Sequence, residues 1–240
     1  MPGAVFNPGV YAMLCNTGMG NKNKELDAIK KGDSTLNYPP FSQVHYWTDS
    51  GRRGRFFLPG SYLCSMRKLS MDELGRKSVA EFRSSAKIPI VVVLDNIRSM
   101  HNVGSVFRTA DAFLLQGIYL CGYTARPPHR DIHKTALGAT ETVEWKYFAS
   151  TQEAVQSLHQ EGFHILAVEQ AQNSIPLHQF DPARYNRLAV MFGNEVEGIQ
   201  QGVLEKLDGC IEIPQLGMKH SLNISVAAGI VLWEMVRARI

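Results

Sequence analysis

The sequence predicts an α/β protein in which a parallel sheet carries helices on both faces. Residues 88–94 (IPIVVVL) form an apolar run, which is typical of a parallel strand that is buried on both sides. From this run onwards, short apolar stretches alternate with stretches of helical periodicity, and strands separated by helices indicate a parallel sheet. The chain has 240 residues, which is enough for one or two domains with a sizeable core.

The first helix after this strand is predicted from about Asn102, where apolar side chains recur at helical spacing and leave Arg108 on the opposite side. The further strands are predicted at 117–121, 142–147, 163–168, 187–192 and 210–213. The further helices are predicted at 151–160, 199–207 and 222–239. The last helix is apolar nearly all round, so we expect it to be buried in a core or against a partner.

The N-terminal part of the chain differs from the rest. Residues 1–65 lack periodicity and are rich in Gly, Asn, Pro and Ser, so we expect a disordered leader. Met66 is a second candidate for the native start, in which case the leader is not a natural segment. Residues 66–87 are expected to form an N-terminal helix, with Ser70 as its cap and Glu73 closing a capping box. The main domain is then expected to span residues 88–240.

The composition is that of an ordinary globular protein, with 45% hydrophobic and 20% charged residues. No apolar run is long enough to cross a bilayer. We expect no secretory signal, because the N-terminus lacks a charged region followed by an apolar one. The four cysteines form no CxxC pair, so we expect a reduced cytoplasmic setting and no metal site. The net charge of +3 does not indicate nucleic-acid binding, which must come from local patches.

Several nucleotide-binding and hydrolase motifs are absent. Gly193 and Gly198 have the outer spacing of a phosphate-binding loop, but Ile and Gln follow where ATP binding requires Lys and Ser or Thr. Gly18 and Gly20 follow no predicted strand and lack a third glycine, so a Rossmann NAD site is poorly supported. Neither Gly-x-Ser-x-Gly nor His-Glu-x-x-His occurs.

Three polar clusters lie next to the ends of predicted strands, at the sheet edge where such folds bind ligands. The first is residues 102–108 (NVGSVFR). Asn102 can cap the helix, Gly104 permits close approach of another segment or a ligand, and Arg108 can bind a phosphate or carboxylate. Taken alone, a capped helix with a solvated arginine explains this cluster equally well.

The second cluster, residues 192–198 (FGNEVEG), places Glu195 in a mostly apolar stretch after a glycine. By itself, a strand-to-helix turn with acidic residues near the next helix is the simpler explanation. The third cluster, residues 213–225, contains Ser221 and Asn223, and a core helix capped by Ser221 leaves its Gly-Met-Lys-His loop unexplained. Because all three clusters fall at one edge, a single binding site is favoured.

A fourth region, residues 124–134, is locally basic and follows the second strand. Its side chains Arg126, Arg130 and Lys134 could contact RNA phosphates, and a solvated loop is the alternative. Two histidines in this region are four residues apart, but no third ligand is evident, so we do not predict zinc.

Residues 88–240 resemble the SPOUT superfamily, specifically its SpoU (TrmH-like) branch of RNA ribose methyltransferases. The resemblance rests on the three clusters, which occur in the family's order and in the expected strand and helix context. The sequence departs from the family pattern at Val196, where glycine is common, and at His220, where a small residue is usual.

The resemblance implies a deep trefoil knot near the C-terminus, which breaks the general rule against threaded chains. It implies S-adenosylmethionine as the cofactor, bent into this knot. It also implies a homodimer, with the final and first helices of this domain at the interface. By position, the cofactor would contact residues of the second and third clusters, namely Gly193, Ile213, Leu216, Met218 and Leu222.

The implied reaction is methyl transfer to a ribose 2′-hydroxyl of tRNA or rRNA. Asn102, Glu195, Ser221 and Asn223 would hold Arg108 and the ribose in line with the methyl group. A guanidinium is not deprotonated in proteins, so our hypothesis is that Arg108 binds the adjacent phosphate and stabilises the developing alkoxide. The phosphate or a water would then take the proton.

Two alternatives remain open at this point. One is a knotted RNA-binding protein without catalysis, and the retained polar side chains argue against it. The other is a base methyltransferase of the same fold, whereas the Ser-Leu-Asn-x-Ser segment favours ribose. The sequence does not indicate which RNA or which nucleotide is modified.

Overall fold

The computed structural model describes residues 42–47, 53–58, 67–70, 72–219 and 221–240. The chain divides into two compact units, one ending at Leu74 and the other running from Gly75 to Ile240. In the first unit, strands β1 (Ser42–Trp47) and β2 (Arg53–Leu58) pair in antiparallel fashion.

These two strands lie in the segment for which the sequence predicts no regular structure. Their aromatic residues and Val44 are residue types that favour strands, a signal that the surrounding Gly, Pro and Asn conceal. The remaining residues of the predicted leader, and the candidate start at Met66, lie outside the described residues.

The segment before the main sheet forms two short helical pieces instead of the single helix predicted for residues 66–87. The first is a 3-10 turn at Asp72–Leu74, preceded by the expected capping box, in which the Ser70 amide donates to Glu73 Oε2 at 2.7 Å. The second is helix α1 (Val79–Ser84), which has its own capping box between Ser78 and Glu81.

The second unit contains a seven-stranded sheet in which every pairing is parallel. Its strands are β3 (Ile88–Asp95), β4 (Leu115–Cys121), β5 (Trp145–Phe148), β6 (His164–Val168), β7 (Ile175–Pro176), β8 (Leu188–Phe192) and β9 (Gly209–Glu212). Their spatial order is β5-β4-β3-β8-β6-β9-β7. The predicted parallel sheet is therefore confirmed, and only the two-residue edge strand β7 was not predicted.

Helices cover both faces of this sheet. They are α2 (Met100–Ala112), α3 (Arg130–Ala136), α4 (Ala139–Thr142), α5 (Thr151–Gln160), α6 (Gln201–Leu204) and α7 (Ile224–Arg237). Along β3, Val92 and Leu94 belong to the core with α2, α3 and α7, whereas Val91 and Val93 belong to the core with α5 and α6. None of the helices in the described ranges combines the length and apolarity that a membrane crossing requires.

Four further helices differ from the predictions. Helix α4 was not predicted, and it ends at Thr142, where a strand was predicted to begin. Helix α3 occupies part of the basic segment 124–134, for which no helix was predicted, and His129 caps it by accepting from the Asp131 amide at 3.2 Å. Helix α6 is a single turn, shorter than the helix predicted at 199–207. Helix α7 begins at Ile224, and Asn223 rather than Ser221 is its cap.

Candidate active site

The turn from β3 into α2 sets the position of Asn102. Ser99 has extended backbone angles and its hydroxyl accepts from the Asn102 amide at 3.3 Å, so Ser99 is the helix cap. The prediction that Asn102 caps this helix is therefore wrong, because the helix begins earlier, at Met100. As a result, the Asn102 side chain is free to bond outside its own helix.

Glu195 is the centre of a hydrogen-bond cluster between β3 and β8. Its Oε2 accepts from the Arg98 main-chain amide at 3.1 Å, and its Oε1 accepts from the Ser99 amide and from Asn102 Nδ2, both at 3.3 Å. Partial burial raises the pKa of Glu195, but the hydrogen bonds, led by that from Arg98, outweigh it and hold this pKa below its ordinary value. The carboxylate is therefore ionised and fixed.

Asn223 extends this cluster at the start of α7. Its Nδ2 donates to Asn102 Oδ1 at 3.2 Å, and its Oδ1 accepts from the Ser225 amide at 2.9 Å and the Ser225 hydroxyl at 2.6 Å. Each amide thus has its orientation set by its neighbours. The predicted convergence of Asn102, Glu195 and Asn223 is met within one chain, as a continuous row that we call the Asn–Glu row.

Asn194 supports this row and was missed from the sequence. It is only 8% exposed, and its Nδ2 donates to the Asn96 main-chain oxygen at 2.8 Å and to the Tyr123 phenol oxygen at 2.5 Å. Its Oδ1 accepts from the amides of Val196 and Glu197 at 2.8 and 3.0 Å. An Asn at the start of a turn after a strand is the signal that could have identified this role.

Gly193 closes the loop that carries Glu195. A Cβ at this position would overlap main-chain atoms of Gly198 and Ile199, so only glycine fits. Asn194 and Gly198 can then exchange two main-chain hydrogen bonds, at 3.2 and 2.9 Å. Val196, the residue that departs from the family pattern, is 75% exposed at the tip and leaves this closure intact.

A cleft of about 320 Å³ lies beside the row, between the carboxyl ends of β6, β8 and β9 and the start of α7. Of the residues predicted to contact a cofactor, Gly193, Ile213 and Leu222 line it, as does Ser221. Leu216 and Met218 do not line it, and their side chains are 100% and 82% exposed. His220, the other departure from the family pattern, lies outside the described residues.

The cleft suits a small cationic ligand with an apolar portion. Its volume falls at the lower end of the range for small-molecule sites. Ile213 and Leu222 provide apolar wall, while Glu169, Glu195 and Glu212 contribute carboxylates. A sulfonium compound that also carries an amino group matches this chemistry, because it is positively charged at two points.

Arg108 is exposed on α2, on the side away from the apolar stripe as predicted. It forms no hydrogen bond or ion pair with another residue that the structure describes, and it does not line the cleft. The predicted grouping of Arg108 with the Asn–Glu row therefore does not occur within one chain.

The three predicted RNA-binding side chains have different surroundings. The Arg126 guanidinium lies over the Tyr147 ring, 4.1 Å from its centre. Arg130 is exposed in the first turn of α3. Lys134 pairs with Asp131 at 2.6 Å, so its charge is partly offset. No group of three His, Cys, Asp or Glu side chains among the described residues is placed to hold a metal ion.

The chain is similar to known RNA methyltransferases. The tRNA (guanosine(18)-2'-O)-methyltransferase of Thermus thermophilus is 30% identical over 168 residues, covering 70% of this chain and 84% of that protein. The 23S rRNA (guanosine-2'-O-)-methyltransferase RlmB of Vibrio parahaemolyticus is 28% identical over 169 residues, covering 70% of this chain and 67% of that protein.

The fold also matches a solved structure, that of the AdoMet-bound rRNA methyltransferase from Sinorhizobium meliloti. The TM-score is 0.60 at 27% identity, over 66% of this chain and 60% of that chain. A model of the SpoU rRNA Methylase family matches residues 89–233, which is more than half of the chain and includes the whole Asn–Glu row. The chain therefore belongs to the SpoU rRNA Methylase family.

Proposed function

We propose that this protein transfers the methyl group of S-adenosylmethionine to a ribose 2′-hydroxyl of tRNA or rRNA. The observation that carries the proposal is the Asn–Glu row, which places Asn102, Glu195 and Asn223 in fixed orientations beside the cleft. The relatives named above are 2′-O-methyltransferases of tRNA and of rRNA, and the matched solved structure is AdoMet-bound. These names support the same chemistry for this chain.

The cleft would hold the cofactor, which supplies an electrophilic methyl group. Gly193, Ile213 and Leu222 would contact it, and the three carboxylates of the cleft favour its positive charge. The Asn–Glu row would orient the ribose, because its polar groups keep their positions before substrate binds. The trefoil knot implied by the family resemblance remains part of this proposal.

The exposed side of α7 supports a homodimer. Val226, Ile230 and Trp233 follow one another at helical spacing and are 50%, 40% and 50% exposed. Three large apolar residues on one helix face form the kind of patch that usually marks an interface. Helix α2, which packs against α7, carries Arg108.

A dimer through this face gives Arg108 a partner that it lacks within one chain. We propose that Arg108 of each protomer acts at the Asn–Glu row of the other, where it would bind the phosphate next to the reacting ribose and stabilise the alkoxide. The guanidinium keeps its proton throughout, so the phosphate or a water would accept the hydroxyl proton.

RNA would approach over the carboxyl edge of the sheet. Arg126 and Arg130 are exposed there and could contact phosphates, while Lys134 is less available because of Asp131. A cytoplasmic setting fits the free thiols of Cys121 and Cys210.

Arg108→Ala tests the proposal directly. We expect methyl transfer from labelled S-adenosylmethionine to unmodified tRNA and rRNA to be abolished, whereas calorimetry should still detect cofactor binding. Arg184→Ala is the matched control, because Arg184 is an exposed arginine before β8 whose one ion pair within the described ranges is with Asp181. A near-normal rate for Arg108→Ala would contradict the proposed role.

The same assay separates the alternative functions. Mass spectrometry of nucleosides from the treated RNA should find the added methyl on ribose, and a methyl on the base would favour the base-methylating alternative. Cofactor and RNA binding without any transfer would favour the RNA-binding alternative.

A further inference from the structure

Two tyrosines at the carboxyl edge of the sheet have exposed rings and anchored hydroxyl groups. Tyr123 is 61% exposed, and its phenol oxygen accepts from Asn194 Nδ2 at 2.5 Å. Tyr147 is 39% exposed, and its hydroxyl donates to the main-chain oxygen of Gly122 at 3.0 Å. Because the hydroxyl groups are held, the rings are presented to solvent with little conformational freedom left to lose on binding.

An arginine adds a second planar group to this surface. The Arg126 guanidinium covers one face of the Tyr147 ring, 4.1 Å from the ring centre. The opposite face of the guanidinium remains available for stacking. The nearby Arg130 is exposed and adds a further positive charge, whereas Lys134 is paired with Asp131. The region therefore combines aromatic and guanidinium planes with excess positive charge.

This surface is joined to the candidate active site. Asn194, which holds the Tyr123 phenol, directly precedes Glu195 in the Asn–Glu row. Asn96 fixes the other end of Tyr123, because its Oδ1 accepts from the Tyr123 amide at 3.2 Å. A ligand on the Tyr123 ring would therefore lie next to the group that orients the ribose.

We propose that Tyr123, Arg126 and Tyr147 form a stacking surface for unpaired nucleobases that flank the methylated ribose. Bases stack on aromatic rings and on arginine planes whatever their identity, and the phosphates between them suit the charge of Arg130. This inference rests on the proposed function, since it says where the nucleotides next to the methylated ribose would bind. An acidic protein segment would use the two arginines but would gain little from the ring faces.

The test compares two substitutions at one position. Tyr123→Leu removes the ring, whereas Tyr123→Phe keeps the ring and removes only the bond to Asn194. Fluorescence anisotropy with a short fluorescein-labelled single-stranded RNA should show that Tyr123→Leu binds roughly tenfold more weakly. Tyr123→Phe should bind within about twofold of the unsubstituted protein, since the stacking plane is retained.

Salt titration separates stacking from charge. The slope of log Kd against log salt should be unchanged in Tyr123→Leu, because the ring carries no charge. Arg130→Ala should reduce this slope by about one, as expected for the loss of a phosphate contact. Arg184→Ala, which removes an exposed arginine far along the chain from this surface, is the control for a general charge effect.

Several outcomes would overturn the stacking surface. One is an RNA affinity of Tyr123→Leu equal to that of the unsubstituted protein. Another is an equal loss of RNA affinity in Tyr123→Phe and Tyr123→Leu. The third is binding of an acidic peptide in place of RNA. Cofactor calorimetry and thermal unfolding on the same variants would show that their folds and clefts are intact.

Parallel methyl-transfer assays distinguish this failure from failure of the proposed function. Transfer by the unsubstituted protein with an unchanged KM for RNA in Tyr123→Leu would contradict the stacking surface alone. Ring-dependent RNA binding without any methyl transfer would contradict the proposed function alone. Absence of RNA binding by the unsubstituted protein would contradict both.

Discussion

Gly104 in α2 lies against Thr135 in α3 so closely that a Cβ on the glycine would overlap the threonine hydroxyl oxygen. The main-chain oxygen of Ile132 would be overlapped as well. This glycine was expected to admit a ligand or another segment, and the neighbour that the structure places there is α3. Helix α2 also carries Asn102 and Arg108. Close packing at Gly104 therefore fixes the main-chain positions of these two residues.

Gly104→Ala should therefore destabilise the protein. Overpacking costs about 1–3 kcal/mol, and the overlap with a main-chain oxygen places Gly104 at the upper end of this range, above the gain of about 1 kcal/mol from replacing glycine in a helix. We expect a lower Tm in thermal unfolding. In Gly202→Ala, where nothing lies within 4 Å of the added Cβ, the Tm should stay the same or rise. An unchanged Tm for Gly104→Ala would mean that α3 moves away without cost.

The low pKa of Glu195 predicts an acid-sensitive contribution to stability. A carboxyl whose folded-state pKa lies below its unfolded value of about 4.3 contributes stability that is complete above that value. This contribution is lost as pH falls through the folded-state pKa. Glu195→Gln should unfold at a lower Tm than the unsubstituted protein near neutral pH, and the difference should shrink in acid. A difference that does not vary with pH would rule out this explanation.

Asp95 should have the opposite pH dependence. It is 1% exposed at the end of β3, and burial raises its pKa despite hydrogen bonds from Thr151 and Asn96. Between the unfolded value of about 3.9 and the raised folded-state pKa, the folded state binds more protons, so stability falls as pH rises. Asp95→Asn should remove this slope from plots of unfolding free energy against pH. If the slope persists in Asp95→Asn, another titrating group causes it.

The exposed side of α7 predicts the oligomeric state. Ile230→Arg would place a charge in the apolar stripe, so we expect a folded monomer by light scattering and little methyl transfer. Ile175→Arg is the matched control, because Ile175 is an isoleucine of similar exposure, 43%, on the edge strand β7. If Ile230→Arg remains dimeric, the interface lies elsewhere.

Mixed dimers test whether Arg108 acts on the partner's site. Arg108→Ala and Asn102→Ala should each be inactive alone. When the two variants are mixed and allowed to exchange, one site in each mixed dimer regains both side chains, and methyl transfer should return. No recovery in dimers that demonstrably exchange would place Arg108 and Asn102 of the same protomer in one site.

The central elements were predictable because their patterns are local. Strand β8 is apolar throughout and β3 is apolar up to Asp95, and α5 was placed at its observed bounds from periodicity alone. Helix α3 was missed because only Ile132 and Ala136 are buried in its seven residues, which is too few to form an apolar stripe.

The position of the site could be predicted from the sequence, but its individual hydrogen bonds could not. Strand ends meet at one edge of a parallel sheet, so the meeting of Asn102, Glu195 and Asn223 followed from the order of elements. Whether Ser99 or Asn102 caps α2 could not be decided locally, because both are good caps. The carboxylate that the main-chain amide of Arg98 contacts belongs to Glu195, which is 97 residues away. The contact between Asn194 and Tyr123 likewise spans 71 residues.

The long span between the members of the Asn–Glu row bears on how the protein is made. Asn223 reaches Asn102 across 121 residues, and Glu195, which follows β8, reaches it across 93. Pairings this distant form late, since the loop between them must close first. A chain emerging from the ribosome can form the bond between Asn102 and Glu195 first, but it completes the row only after the start of α7 has been released. Activity therefore begins only after most of the chain has been synthesised. Fragments that end before Asn223 should not bind the substrate ribose.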